Sequence, residues 1–338
     1  MPPLPRRSLS WDGLTNARLI QVPIESADMK KEILEGLRQH PKRIHPKYFY
    51  DERGAHLFTE ITRQPEYYLT RAEMAILQRN AGEMMNYMGG RTALVELGSG
   101  SSEKVRLLLQ RNERIVAYVA VDISRNYLEQ AALSVASEYP ALQVTAICAD
   151  YTKAFPLPKS AEWDCRVFFF PGSTIGNMEP AEAESFLRQL ASVSEPGDGM
   201  LIGVDLVKDT ERLYRAYNDS RGVTAAFNLN LLRRINRELG ADFVLERFAH
   251  EAFYNESMNR IEMHLRSLQK QTVHIGAEEF FLDEGERIHT ENSYKYEITS
   301  FQSLARRAGF ATRACWQDEA GDFSVHYLEV QSEEGRSS

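Results

Sequence analysis

The stretch VELGSGSSEK, residues 95–104, runs from an apolar segment through a Gly-Ser-Gly turn into a helical pattern. Gly98 and Gly100 let a ligand approach the backbone with no side chain in the way. The dinucleotide fingerprint needs a third glycine where the helix packs, and Glu103 stands there. A phosphate-binding P-loop needs Gly-Lys-Ser/Thr after four intervening residues, which Ser-Glu-Lys does not supply. Pyrophosphate is therefore disfavoured twice, and a nucleoside without phosphates fits better. Asp122 closes IVAYVAVD, where a carboxylate can accept hydrogen bonds from both ribose hydroxyls. Asp150 closes LQVTAICAD beside Tyr151, an acceptor and a flat ring suited to adenine. One acid at a strand end is ordinarily a helix cap or a solvated loop residue. Three strand ends in series, carrying G-x-G, Asp and Asp-aromatic, together spell the site of an S-adenosylmethionine-dependent methyltransferase.

A fourth apolar run ends in FFFPGSTIGNM, residues 168–178, with Gly172 and Gly176 bracketing a polar turn. Asn177 in that turn either orients an acceptor amine through its amide oxygen or bonds its own backbone, as turn asparagines do.

These residues need a scaffold that aligns strand ends. Between about 92 and 205, TALVEL, IVAYVAVD, LQVTAICAD, RVFFFPG and MLIGVDL read as strands too continuously apolar to be half exposed. SSEKVRLLLQR, SRNYLEQAALSVASEY and EPAEAESFLRQLASV between them have helical period. The alternation predicts an α/β fold with a doubly wound, mostly parallel sheet, whose ligands bind outside the carboxyl ends of the strands. Upstream, SADMKKEILEGLRQH is helical, and TRAEMAILQRNAGEMMNYM opens with Thr70 and Glu73 at capping-box spacing. Downstream of Leu206 two helical segments precede extended antiparallel ones, and TSFQSLARRAGF and FSVHYLEV return a helix and a strand to the sheet. The expected organisation is a loosely ordered lead-in over 1–25, a discontinuous α+β domain from 26–69 and 206–295, and a nucleotide-type core from 70–205 and 296–332.

A chain of 338 residues, 43% hydrophobic, can bury one large core or two medium ones. Its net charge of −8 argues against a nucleic-acid partner and for a small molecule. The three cysteines, Cys148, Cys165 and Cys315, have no metal-ligand spacing and read as free thiols of a reducing compartment. No apolar run approaches the roughly 20 residues of a membrane helix, so a cytoplasmic protein without a membrane partner is expected; a monomer is expected as well. The eight histidines show no HExxH and no clustered carboxylate partners, so no metal is expected.

Several segments together resemble the histidine Nα-methyltransferases of ergothioneine biosynthesis. They are HPKYFYDERGAHLFTEITRQPEYYLTRAE, LVELGSGSSEK, GSTIGNMEPAE, DLVKDTERLYRAYND with GVTAAFNLNLLRRINRELGADF, RIEMHLRS and HTENSYKY, in the family's order over about 30–330. The resemblance implies a Rossmann-like methyltransferase domain with a substrate-binding domain assembled from separated segments. It implies that Gly98, Lys104, Asp122, Asp150 and Tyr151 contact S-adenosylmethionine, with S-adenosylhomocysteine as product. It implies further that Tyr67, Asn177, Tyr217, Glu291 and Ser293 contact L-histidine, that Met263 is a pocket wall, and that Tyr50 lies near the reacting amine. The implied reaction trimethylates the α-amine of histidine to hercynine, the first step towards ergothioneine.

The residues make physical sense of that reaction. Glu291 and Ser293, two apart on a strand, project from one face and can address the two nitrogens of an imidazole. Methyl transfer needs a neutral amine in line with the S-to-methyl bond. An α-amino group has a pKa of about 8, so a proton must leave before each transfer; with no strong general base evident, it goes to solvent or to a water held by Tyr50. Asn177 can hold the amine, and Tyr50 and Tyr67 can favour the growing ammonium by cation–π attraction. One departure is Ser124, where relatives often carry a second acid after Asp122. Two rival readings are an N-methyltransferase of another small amine, such as a tryptophan derivative, and a non-catalytic amino-acid-binding protein.

Overall fold

The computed structural model describes residues 16–22, 26–110, 114–158 and 161–331. The chain divides into two compact units, one holding Leu69–Val207, the segment from Tyr296 onward and the N-terminal strand, the other holding Ile24–Tyr68 and Lys208–Lys295.

The first unit is built on an eight-stranded sheet in the order Ala17–Gln21, Gln143–Cys148, Ile115–Asp122, Thr92–Leu97, Cys165–Phe170, Gly199–Asp205, Phe323–Val330, Phe310–Gln317. The first six strands run parallel, and the last two pair antiparallel. Helices Glu103–Leu109, Arg125–Glu138 and Pro180–Ser192 connect successive parallel strands. Every residue of Thr92–Leu97, Cys165–Phe170 and Gly199–Asp205 is buried, which is why their sequences are continuously apolar rather than alternating. The strand order reverses between Thr92–Leu97 and Cys165–Phe170, so this doubly wound Rossmann-like sheet opens its crevice at the ends of those two strands.

Two sequence expectations are corrected here. Residues 17–21 of the supposed lead-in form an edge strand along Gln143–Cys148, with only Ala17 and Leu19 turned inward, too few positions to register as a period. Asn16 anchors it by donating to the carbonyls of Ala136 and Leu142 at 3.1 and 3.0 Å. The remainder of the lead-in, 1–15 and 23–25, lies outside the described residues. The second correction concerns Thr70 and Glu73: the helix starts at Tyr68, so Thr70 lies inside it and Glu73 is fully buried instead of capping.

The second unit contains a four-stranded sheet in the order Lys42–Arg43, Arg287–Tyr294, Arg260–Ser267, Phe248–Asn255, and a separate hairpin of Gln271–Ile275 with Glu278–Leu282. Helices Ser26–Arg38, Glu52–Thr62, Thr210–Tyr217 and Val223–Leu239 complete it. Asp51 caps Glu52–Thr62 by accepting from Gly54 N at 2.7 Å, and also accepts from Asn230 and Arg237 on Val223–Leu239 at 2.8 and 2.7 Å. Burial works against ionisation of Asp51, but these donors outweigh it and hold its pKa low. The register slips between His289 and Glu291, where Thr290 is the extra residue of a β-bulge. Thr290 is held by donating to Asn228 Oδ1 at 2.9 Å and to the Met263 carbonyl at 3.0 Å.

Beneath the Gly-Ser-Gly turn, Tyr118 donates to Glu96 at 2.5 Å and exchanges a hydrogen bond with Ser102 at 3.0 Å, all three buried. Burial pushes the Glu96 carboxyl up to about 8, against the hydrogen bond from Tyr118. A carboxyl raised on folding contributes stability that is lost as pH rises from the unfolded value through the folded one. Glu96→Gln should therefore flatten the fall in thermal midpoint between about pH 4.5 and 8, gaining several degrees on the native protein at the alkaline end in differential scanning calorimetry.

Candidate active site

At the carboxyl ends of the first unit's strands, four segments converge through specific contacts. Gly98 has φ +74°, a conformation that L side chains rarely adopt, and a Cβ there would lie 3.5 Å from the Tyr151 ring. Asp122 draws the turn onto the next strand, its two oxygens accepting from Gly100 N at 3.1 Å and Ser124 N at 2.8 Å. Burial pushes its pKa up, with these backbone donors opposing. Each oxygen has a second lone pair with which to accept a ribose hydroxyl. Ser124 thus helps through its backbone where a second acid is missing. Asp150 accepts from Thr152 N and Oγ at 3.0 and 2.5 Å, fixing the bend into Tyr151. The Tyr151 ring meets Phe170 and Phe186 edge-on at 5.6 and 6.1 Å, and burial pushes its hydroxyl pKa up. An open turn, an acid and an acid-aromatic pair at consecutive strand ends fit S-adenosylmethionine.

Lys104 has a partner that the sequence did not reveal. Its ammonium bonds Glu73 at 2.5 Å, and the same carboxylate accepts from Gly172 N at 2.9 Å. A Cβ at Gly203 would overlap Glu73 Oε1, so the glycine makes room for the carboxylate on the sheet. Lys104 therefore acts on the Pro171-Gly172 turn through Glu73, whatever else it touches. Asn177 ends the short 3₁₀ helix Thr174–Asn177 after that turn, and among the described residues its amide makes no bond to its own backbone.

In the second unit the bulge decides which side chains share a face. Glu291 sits opposite Met263, and Ser293 opposite Ile261, so these four project from one side of the sheet. His289, before the bulge, pairs with His264 and projects from the other side. Ser293 accepts from Tyr217 Oη at 2.7 Å and from Lys295 Nζ at 2.7 Å, and Lys295 also donates to Tyr217 Oη at 3.1 Å. Burial pushes the Glu291 carboxyl up to about 7, the Lys295 charge pulling the other way. A ligand N–H would favour its ionised form. Tyr67 meets Tyr217 edge-on at 6.2 Å and Phe58 at 6.3 Å; Tyr50 meets Phe58 and Phe227 at 5.8 Å each. Phe58, Phe227 and Lys295 are participants that sequence reasoning missed, because single aromatics and a lone lysine carry no spacing signal.

The opposite face corrects the reading of the histidines as lacking carboxylate partners. Glu262 lies 3.0 Å from His264, and His289 stacks on His264 with ring centroids 4.7 Å apart and planes at 22°. Against desolvation, hydrogen bonds from Asn255, Arg260 and His264 hold Glu262 at about 2, while burial lowers His289 to about 4. Glu262, His264 and His289 each offer one ligand atom, all within 4.8 Å of one another, a spacing that could hold a metal ion. The three residues form a packed polar stack, with Phe253 continuing it at 5.2 Å from His264.

A doubly wound sheet whose G-x-G turn lacks the third dinucleotide glycine, with an acid ending the next strand, fits a methyltransferase that uses S-adenosylmethionine. Residues 29–330 match the family described as histidine-specific methyltransferase, SAM-dependent, and the chain belongs to it. It is 42% identical over 302 residues to the histidine N-alpha-methyltransferase of Mycolicibacterium smegmatis, covering 88% of this chain and 93% of that one. The protein of the same name from Mycobacterium tuberculosis is 42% identical over 303 residues, with the same coverage of 88% and 93%. Ergothioneine biosynthesis protein 1 of Neurospora crassa is 32% identical over 326 residues, which span 93% of this chain and 36% of that longer protein. No helix among the described residues is long and apolar enough to cross a membrane.

Two substitutions test the first unit. Asp122→Ala should weaken S-adenosylmethionine binding at least about tenfold in calorimetry, the loss of one or two charge-assisted hydrogen bonds. Lys104→Met leaves Glu73 buried without its counter-charge and should cost about 3–5 kcal/mol in denaturant unfolding; unchanged stability would mean that the pair does not hold the turn.

Proposed function

We propose that this protein transfers methyl groups from S-adenosylmethionine to the α-amine of L-histidine three times, giving Nα-trimethylhistidine, hercynine, as the first step of ergothioneine biosynthesis. The observation that carries the reading is the pairing of Glu291 and Ser293 on one strand face beside Met263, with Ser293 held by Tyr217. A carboxylate two positions from a hydroxyl matches the N–H and lone pair of an imidazole, which a tryptophan indole, with a single N–H, does not satisfy. The names of the relatives support the same substrate.

In this reading Gly98 admits the methionine end of the donor, Asp122 takes the ribose, and Asp150 with Tyr151 takes the adenine, Lys104 closing the site from the helix. S-adenosylmethionine supplies an electrophilic methyl on sulfonium, so the protein's tasks are placement and proton release. Glu291 and Ser293 fix the ring, Met263 walls it, and Tyr67, Tyr217 and Asn177 hold the amino-acid end. Tyr50 and Tyr67 offer ring faces that stabilise positive charge as methyl groups accumulate. Neither Asn177 nor Tyr50 is basic at neutral pH, so each proton leaves to solvent, directly or through a water at Tyr50.

Incubation with S-adenosylmethionine and L-histidine should yield products heavier by one, two and three methyl groups in mass spectrometry, the third accumulating. Tryptophan should give none, and turnover of tryptophan without histidine would overturn the assignment. Glu291→Ala should raise KM for histidine by about 10–100-fold, the cost of a lost bond to a charged group, with little change in KM for S-adenosylmethionine.

A further inference from the structure

We propose that Lys295 sets the direction of the Ser293 hydroxyl and so makes the protein accept its substrate's imidazole only as one neutral tautomer. The inference rests on histidine being the substrate and concerns how the same site reads the ring. A serine hydroxyl has one proton to donate and two lone pairs to accept with. Both lone pairs of Ser293 are engaged, one by Tyr217 Oη at 2.7 Å and one by Lys295 Nζ at 2.7 Å. An ammonium can only donate, so the order of the network starts from Lys295: it donates to Tyr217 at 3.1 Å, and Tyr217 passes its own proton on to Ser293. What remains for a ligand is the Ser293 proton, which has no acceptor among the described residues.

Burial makes this order rigid. Tyr217, Ser293 and Lys295 are 5%, 4% and 3% exposed, so water does not readily replace any of the three contacts. On the same face Glu291 offers a carboxylate, an acceptor in its ionised form. The face therefore asks a ring for one N–H and one lone pair at fixed places. Neutral imidazole in a single tautomer meets both demands. Imidazolium presents two N–H groups, the second aimed at an oxygen with no lone pair left and an ammonium immediately behind it. Lys295 touches neither reacting atom; it is a positioning residue acting through Ser293.

The test is the ¹⁵N spectrum of ring-labelled L-histidine bound with S-adenosylhomocysteine. With the native protein one ring nitrogen should be protonated and the other bare, unchanged down to about pH 6, where free imidazole with a pKa near 6.5 is already mostly protonated. Lys295→Met frees a lone pair on Ser293, so the bound ring should show averaged tautomers or two protonated nitrogens at the same pH. KM for histidine should rise about tenfold, equivalent to one hydrogen bond, while kcat and S-adenosylmethionine affinity stay near native. Tyr217→Phe removes the other donor to Ser293 and should loosen the tautomer likewise, which carries the reading if Lys295→Met does not fold. Two protonated ring nitrogens in the native complex, or a ring as firmly locked in the folded variants as in the native protein, would overturn the proposal. Failure of histidine to bind or be methylated would instead overturn the assigned function.

Discussion

The arrangement of the candidate site's side chains in the second unit depends on one extra residue in a strand. Without the bulge at Thr290, the two-residue period would put His289, Glu291 and Ser293 on one face. With it, His289 joins Glu262 and His264 in a polar stack on one side, and Glu291 and Ser293 join Met263 on the other. Two buried polar groups sets of opposite character are thereby kept apart: neutral imidazoles around an ionised glutamate on one side, and on the other a desolvated carboxyl beside a lysine-ordered hydroxyl. Thr290 itself is fixed by Asn228 and the Met263 carbonyl, so helix Val223–Leu239 and the neighbouring strand both hold the bulge.

The first unit solves a related problem, how to hold separate strand ends together. Glu73 does so from a helix, accepting from the Gly172 backbone and from Lys104 while lying in the space left by Gly203. Asp122 does so from a strand, accepting from Gly100. Each is a buried or partly buried carboxylate whose desolvation is opposed by hydrogen bonds, and loosening either would release the turn it holds. Below them, the Glu96, Tyr118 and Ser102 network braces the turn from inside the sheet.

Much of the architecture was legible in the sequence because buried parallel strands are continuously apolar and helices keep their period. TALVEL, IVAYVAVD and RVFFF are strands for that reason, and the residues that follow them at carboxyl ends are the ligand candidates. What escaped were elements with too few inward positions, such as Ala17–Gln21, and helix Glu52–Thr62 within a segment rich in aromatic and polar residues. Glu73 was misread for a different reason: its spacing from Thr70 satisfies a local rule, but tertiary burial took the carboxylate elsewhere.

The sequence by itself determined the fold class, through the periodicity of its strands and helices, and carried the resemblance that points to the family, through segments spread in order along the chain. Only the tertiary structure decided which side chains share a face across a bulge, that Lys104 leans on Glu73, and that Lys295 stands behind Ser293. Such contacts join residues far apart in the chain, follow a one-position shift in register, or, as for Lys295 and Ser293, depend on a third group, Tyr217, brought from a distant helix. Their energetics arise from desolvation and mutual hydrogen bonding, which exist only once the chain has folded.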